Sequence, residues 1–252
     1  MLIHLERQGS IAIVRMEHGK ANAMDIEFFR DMNQRLQEIE KSDAKGVVLT
    51  GTGKIFSAGV DLFRLLEEGP KYAHLFLESL DTGLLRIFNF PKPLIAAING
   101  HAIAGGCILV CASDYRLMGD GPGTIGVPER VVGVPFPTSA LEIVRYAVPN
   151  QIMQELVYRG KTYGAADALL KGLIDEIVPH DKLINRAVEL AEQFGDSPET
   201  FSIMKQQLRK PALERYERDH REHDAKAAQI WASPEARQAI RAYLDRVVGK
   251  RS

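Results

Sequence analysis

Five short runs of β-branched and large apolar residues constrain this chain more than any other feature. They fall at Ile11–Met16, Gly46–Thr50, 94–99, 115–118 and 124–127, each of strand length and bounded by turn residues. Between them lie patterns of helical period. In 25–40, Phe28, Phe29, Met32, Leu36 and Ile39 recur on one helix face, and Asp25 has the character of an N-cap. A second pattern, 67–88, is opened by Pro70 and closed by Asn89-Phe90-Pro91-Lys92-Pro93, whose two prolines cannot continue a helix. Alternation of this kind predicts an α/β fold with a largely parallel sheet and helical crossovers.

From about Asp196 the strands cease. Ser197-Pro198-Glu199 and Ser233-Pro234-Glu235 both read as helix starts: a cap, proline at the first helical position, an acid in the first turn. The stretch ERYERDHRE (214–222) reads as a solvated helix face. Ile230, Trp231, Ile240, Leu244 and Val247 form an apolar set that must dock on the chain's own core or on a neighbouring subunit. The expected organisation is a core over 1–195 and a helical region over 196–252.

Composition sets limits on partners. With 252 residues and 45% hydrophobic content the chain can bury one large core, with or without an appendage. Thirty-two Lys and Arg balance 33 Asp and Glu, a net charge of −1 that offers no field for nucleic acid or an anionic membrane surface. Cys107 and Cys111 lie four apart without a histidine beside them, which suits core packing better than a disulfide or a metal site. No apolar run reaches the ~18 residues of a membrane span, and the start lacks a secretory pattern, so the expected location is the cytoplasm.

Three segments could carry chemistry. The first is Leu49-Thr-Gly-Thr-Gly-Lys-Ile-Phe-Ser-Ala-Gly-Val-Asp-Leu62. Its glycines allow close approach of backbone to a ligand, but the spacing fits neither a dinucleotide fingerprint nor a phosphate loop. The second is Asn99-Gly-His-Ala-Ile-Ala-Gly-Gly-Cys-Ile-Leu-Val110, a strand entering a helix near Ala104 or Gly105. N–H groups at such a helix start can meet an anionic oxygen, and two from separate loops would make an oxyanion hole. Close helix–strand packing would ask for the same glycines. The third is Ile125-Gly-Val-Pro-Glu-Arg-Val-Val-Gly-Val-Pro-Phe-Pro137. There Glu129 stands in apolar surroundings that would raise its pKa toward that of a useful acid or base, unless an arginine such as Arg130 pairs with it.

Taken together, Ala-Asn-Ala-Met-Asp (21–25), Phe-Ser-Ala-Gly-Val-Asp-Leu (56–62), Gly-His-Ala-Ile-Ala-Gly-Gly-Cys (100–107) and Gly-Val-Pro-Glu…Gly (126–133) resemble, in order and spacing, the crotonase (enoyl-CoA hydratase/isomerase) superfamily. The resemblance implies a crotonase-like spiral of ββα units with a C-terminal helical trimerisation region, assembled as a homotrimer or a dimer of trimers. It implies an acyl-CoA thioester substrate, with coenzyme A entering as part of the substrate and neither cofactor nor metal required. The positions that match the family's oxyanion donors are Val60 and Gly105, and the catalytic glutamate matches Glu129. Ala21, Ala23 and Ala58 match backbone positions along CoA, Lys20 stands where a base can meet its phosphates, and Asp61, Leu62, Ile108 and Pro128 complete the expected substrate contacts. His18 and His101 match no family role and are expected to be structural.

One departure decides the expected reaction. Hydratases of the family carry a second glutamate three residues after the second oxyanion glycine, and Ile108 stands there. Adding water at C3 while protonating C2 divides between two carboxylates, whereas moving a double bond from 3,4 to 2,3 needs one base. The resemblance therefore implies a Δ3,Δ2-enoyl-CoA isomerase using Glu129 and a backbone oxyanion hole. The alternatives are an enoyl-CoA hydratase drawing a second acid from Glu78 or Asp81, another crotonase reaction such as hydrolysis or decarboxylation, and an inactive acyl-CoA-binding protein.

Overall fold

The computed structural model describes residues 2–249. The chain opens with an antiparallel pair, β1 (Ile3–Gln8) and β2 (Ile11–Met16), turned at Gly9, and α1 (Ile26–Lys41) follows. Three ββα units come next. They are β3 (Gly46–Thr50), β4 (Ile55–Ser57), α2 (Leu62–Glu68) and α3 (Pro70–Phe88); then β5 (Leu94–Ile98), β6 (His101–Ile103) and α4 (Gly105–Ala112); then β7 (Tyr115–Gly119), β8 (Thr124–Gly126), α5 (Glu129–Val132), α6 (Thr138–Ala147) and α7 (Asn150–Arg159). The chain continues through β9 (Thr162–Gly164), α8 (Ala165–Leu170), β10 (Glu176–Val178) and α9 (Leu183–Phe194) to α10 (Pro198–Trp231) and α11 (Pro234–Val247).

The first strand of each unit joins a six-stranded sheet ordered β1-β2-β3-β5-β7-β10, parallel beyond the opening pair. The second strand joins a four-stranded sheet ordered β4-β6-β8-β9. The chain therefore spirals, crossing from one sheet to the other at each unit before a helix returns it. Packing at these crossings is tight: a side chain at Gly100 would meet Lys54 O at 1.9 Å, so only glycine lets the second turn lie on the first. Strands β3 and β5 are buried on both faces, which is why they read as continuous apolar runs without alternation. Helix α9 covers one face of the large sheet through Leu183, Ala187, Val188, Leu190 and Ala191.

Asp25 caps α1, accepting the Phe28 N–H at 2.7 Å, as its position predicts. The helical pattern predicted over 67–88 divides at Gly69, whose φ of 81° ends α2 and allows Pro70 to begin α3 in a new direction. The C-terminal helices dock on their own chain: Ala212, Trp231, Ala236 and Ile240 belong to the main core, α10 lying against α6 and α3 and α11 against α2 and α5. Of the apolar set expected to dock, Ile230 and Val247 stay exposed. No helix among the described residues is long and apolar enough to cross a membrane.

Candidate active site

Residues from all three motif segments line one cavity, together with residues of α3, α6 and the C-terminal helices. Glu129 is the first residue of α5, a single turn fixed at both ends. Pro128 O accepts the N–H groups of Val131 and Val132, Glu129 O accepts those of Gly133 and Val134, and Gly133 closes the turn in the left-handed region. The Glu129 side chain is 7% exposed and its Oε2 is buried without a hydrogen-bond partner. Burial pushes its carboxyl up to about 8, against a smaller opposing hydrogen bond from its own backbone. Arg130 is exposed, so the ion pair that the sequence left open does not form.

The facing wall is built by two loops pressed together. Gly59 has φ 86°, and a side chain on it would meet Ala104 Cβ and Ile103 O at 2.8 Å and Gly105 N at 2.9 Å. Met24 N–H donates to Gly59 O and Asp61 N–H to Met24 O, at 2.8 and 2.9 Å, a bridge that leaves the Val60 N–H out. Across from it, Ala104 holds φ 54° and ψ −125°, a strained conformation for a residue with a side chain, and so turns the chain into α4. Gly105 then occupies the first helical position, where the N–H has no acceptor inside the helix. Among the described residues neither the Val60 nor the Gly105 N–H has an acceptor. Two free donors on adjoining loops and one unpaired carboxyl thus share one largely apolar space.

Val60, Gly105, Ala58, Leu62, Ile108, Pro128 and Glu129 all line this cavity. Ile108 is 3% exposed and forms apolar wall. Lys20, Ala21, Ala23 and Asp61 lie outside it. Lys20 is exposed, and Ala21 O accepts the Ala58 N–H at 2.9 Å, which ties the 21–24 strip alongside 58–61. The Asp61 carboxylate caps α2 through the Arg64 N–H at 3.0 Å. His18 braces the same strip by bonding Asp25 at 2.8 Å, and His101 bonds Thr124 at 3.0 Å, structural roles for both. Glu78 is exposed, and Asp81 accepts the Tyr216 hydroxyl at 2.6 Å beside a separate cavity; neither reaches Glu129's.

Sequence reasoning missed Leu80, Phe136, Trp231 and Tyr243, all of which line the cavity. The Trp231 indole N–H donates to Pro135 O at 2.9 Å, and Tyr243 reaches the cavity from α11. Apart from Glu129, these two supply the only polar side-chain atoms of the lining among the described residues.

A spiral of ββα units closed by C-terminal helices is the crotonase fold, and similarity to known proteins defines the family within it. The chain belongs to the enoyl-CoA hydratase/isomerase family, whose model matches residues 6–249. It is 33% identical over 197 residues to a carnitinyl-CoA dehydratase of Escherichia coli K12, covering 77% of this chain and 75% of that one. It is 28% identical over 214 residues to the mitochondrial enoyl-CoA delta isomerase 1 of Rattus norvegicus, covering 83% of this chain and 74% of that one. The human mitochondrial delta3-delta2-enoyl-CoA isomerase has the same fold, with a TM-score of 0.93 at 22% identity and complete coverage of both chains. The chain is thus an enzyme of a family that works on CoA thioesters.

Proposed function

We propose that this enzyme is a Δ3,Δ2-enoyl-CoA isomerase. The observation that carries the reading is a single unpaired carboxyl, Glu129, in a cavity where Ile108 stands at the position of a second acid. In this reading the thioester oxygen accepts the Val60 and Gly105 N–H groups. Glu129, as carboxylate, takes a proton from C2; the electrons of that bond form a dienolate whose charge rests on the thioester oxygen between the two donors. The protonated Glu129 returns the same proton at C4, and the double bond lies between C2 and C3. Ile108 and its apolar neighbours keep water from the intermediate. Coenzyme A would run along Ala21, Ala23 and Ala58, with Lys20 near its phosphates and Asp61 holding the turn that ends at Leu62.

A second reading is hydration or its reverse, favoured by the dehydratase relative and by Tyr243, a lining residue whose hydroxyl feels the charge of Glu129. Purified enzyme assayed on 3-enoyl-CoA and 2-enoyl-CoA separates the two. Isomerisation of the first without water addition to the second is expected; water addition would replace the isomerase reading with the second. Glu129→Gln should lower turnover by about 10³-fold while acyl-CoA binding persists, because the amide fills the same space without accepting a proton. Undiminished turnover in that variant would overturn the mechanism.

A further inference from the structure

A second cavity adjoins the first, Pro137 being common to the lining of both. Leu77, Pro137, Ala227 and Ala228 give it an apolar wall, and His74, Glu78 and Asp81 of α3 with Asp224 of α10 line the rest, His74 and Glu78 being exposed. On α3, Leu80 faces the first cavity while Leu77 and Asp81 face the second; on α10, Trp231 faces the first while Ala227 and Ala228, one turn earlier, face the second. The two spaces are therefore separated by one layer of side chains, Leu80, Pro137 and Trp231.

That layer is rigid. Trp231 is 4% exposed, and its indole is fixed by the Pro135 carbonyl, between Val134 and Phe136 of the cavity lining. Leu80 is buried in the same core, and Pro137 has no side-chain torsion to release. On Glu129's side the free space is about 50 Å³, room for about four water molecules. Behind the partition it is about 230 Å³. Leu80, Pro137 and Trp231 line the same small space as Val60 and Gly105, so an acyl chain whose thioester is held there has only that space before the partition.

We propose that Trp231, with Leu80, is the specificity-determining partition that restricts this site to short acyl chains, and that the space behind it is an acyl channel closed by this one layer. The proposal rests on the acyl-CoA reading of the site and not on which reaction follows. Replacing the indole by a smaller side chain joins the two spaces, and a longer chain gains the burial of each methylene that passes the partition.

The test measures dissociation constants of butanoyl-CoA and decanoyl-CoA, with free CoA as baseline, for the wild type, Trp231→Leu and Leu80→Ala. In the wild type, decanoyl-CoA should bind no more tightly than butanoyl-CoA. In each variant it should gain about tenfold or more over butanoyl-CoA, since two buried methylenes already suffice for that. Leu80→Ala leaves the indole anchor intact and keeps the test open if Trp231→Leu does not fold. Wild-type preference for decanoyl-CoA, or an unchanged ratio in the folded variants, would overturn the partition. Failure of the isomerase reading looks different: acyl-CoA binding with the predicted ratios but no double-bond migration.

Discussion

The surroundings of Glu129 resist its charge, and under the proposed mechanism this sets both its chemistry and its pH dependence. Only the carboxylate can take a proton from C2, and burial holds the group near 8. Turnover at low substrate should therefore rise with pH up to about 8 and level off above it, a profile read from kcat/KM between pH 6 and 9. The stability consequence has the opposite slope. The unfolded chain releases this proton near 4.5 and the folded protein only near 8, so between those values the folded state binds more protons and stability falls as pH rises. Glu129→Gln should remove that slope and leave the variant more stable than the wild type at pH 8 by a few kcal/mol, as measured by urea unfolding, because each tenfold change in proton affinity is worth about 1.4 kcal/mol. A variant no more stable than the wild type there would mean that the carboxyl is not desolvated in solution. Glycine and proline mark the turns around Glu129, Val60 and Gly105 in the sequence, but the roles expected of these residues come from the resemblance to the crotonase family and not from local pattern. Trp231 and Tyr243 carry no such mark: they sit far along the chain, on helices whose docking no local pattern specifies.

The same division holds for the elements. Strands β2 and β3 and the caps of α1 and α11 follow from their sequences, since burial on both faces and side-chain capping leave plain signatures. Strands β4, β6, β9 and β10 have three residues each, too few to show a period, and exist because sheet neighbours pair them. Helix α10 carries Pro211 in its interior, which local propensity forbids, and tertiary anchoring overrides it. The anchor is ionic. Asp114 accepts from Lys205 at 2.6 Å and from Arg209 at 2.7 Å, both cations being buried, with the Arg209 guanidinium 4.2 Å from the centre of the Phe88 ring. Burial pushes Lys205 down to about 8 even beside this carboxylate. Asp114→Asn would leave two buried cations without a counter-charge, and should destabilise the protein by about 3–5 kcal/mol in chemical unfolding. Amide exchange should rise along the first half of α10 in that variant. Retained stability would mean that the helix is held by its apolar contacts alone.

At the scale of the molecule, α10 has two apolar faces where docking on one core needs one. Ala212, Tyr216, Ala227 and Trp231 turn inward with Lys205 and Arg209. Ile203, Met204 and Leu208 point outward, 57%, 55% and 63% exposed. An exposed apolar strip on a helix already docked by its other side is suited to a second surface, and a neighbouring copy supplies one. Copies joined head to tail in a closed ring leave no such contact open, whatever their number. We propose that this strip carries the subunit contact of the homotrimer or dimer of trimers that the crotonase resemblance implies, which predicts a sedimentation mass about three or six times the 28.0 kDa of one chain. Met204→Glu together with Leu208→Glu should reduce that mass to one chain's, since two like charges buried at each contact have no partner. Trp231 and Tyr243 of the same chain line the cavity around Glu129. Dissociated subunits of the double variant should therefore still bind butanoyl-CoA, with the dissociation constant changed less than about tenfold. An unchanged mass would place the subunit contact elsewhere on the surface. Monomers that no longer bind the thioester would mean that a neighbouring subunit contributes to the CoA end of the site.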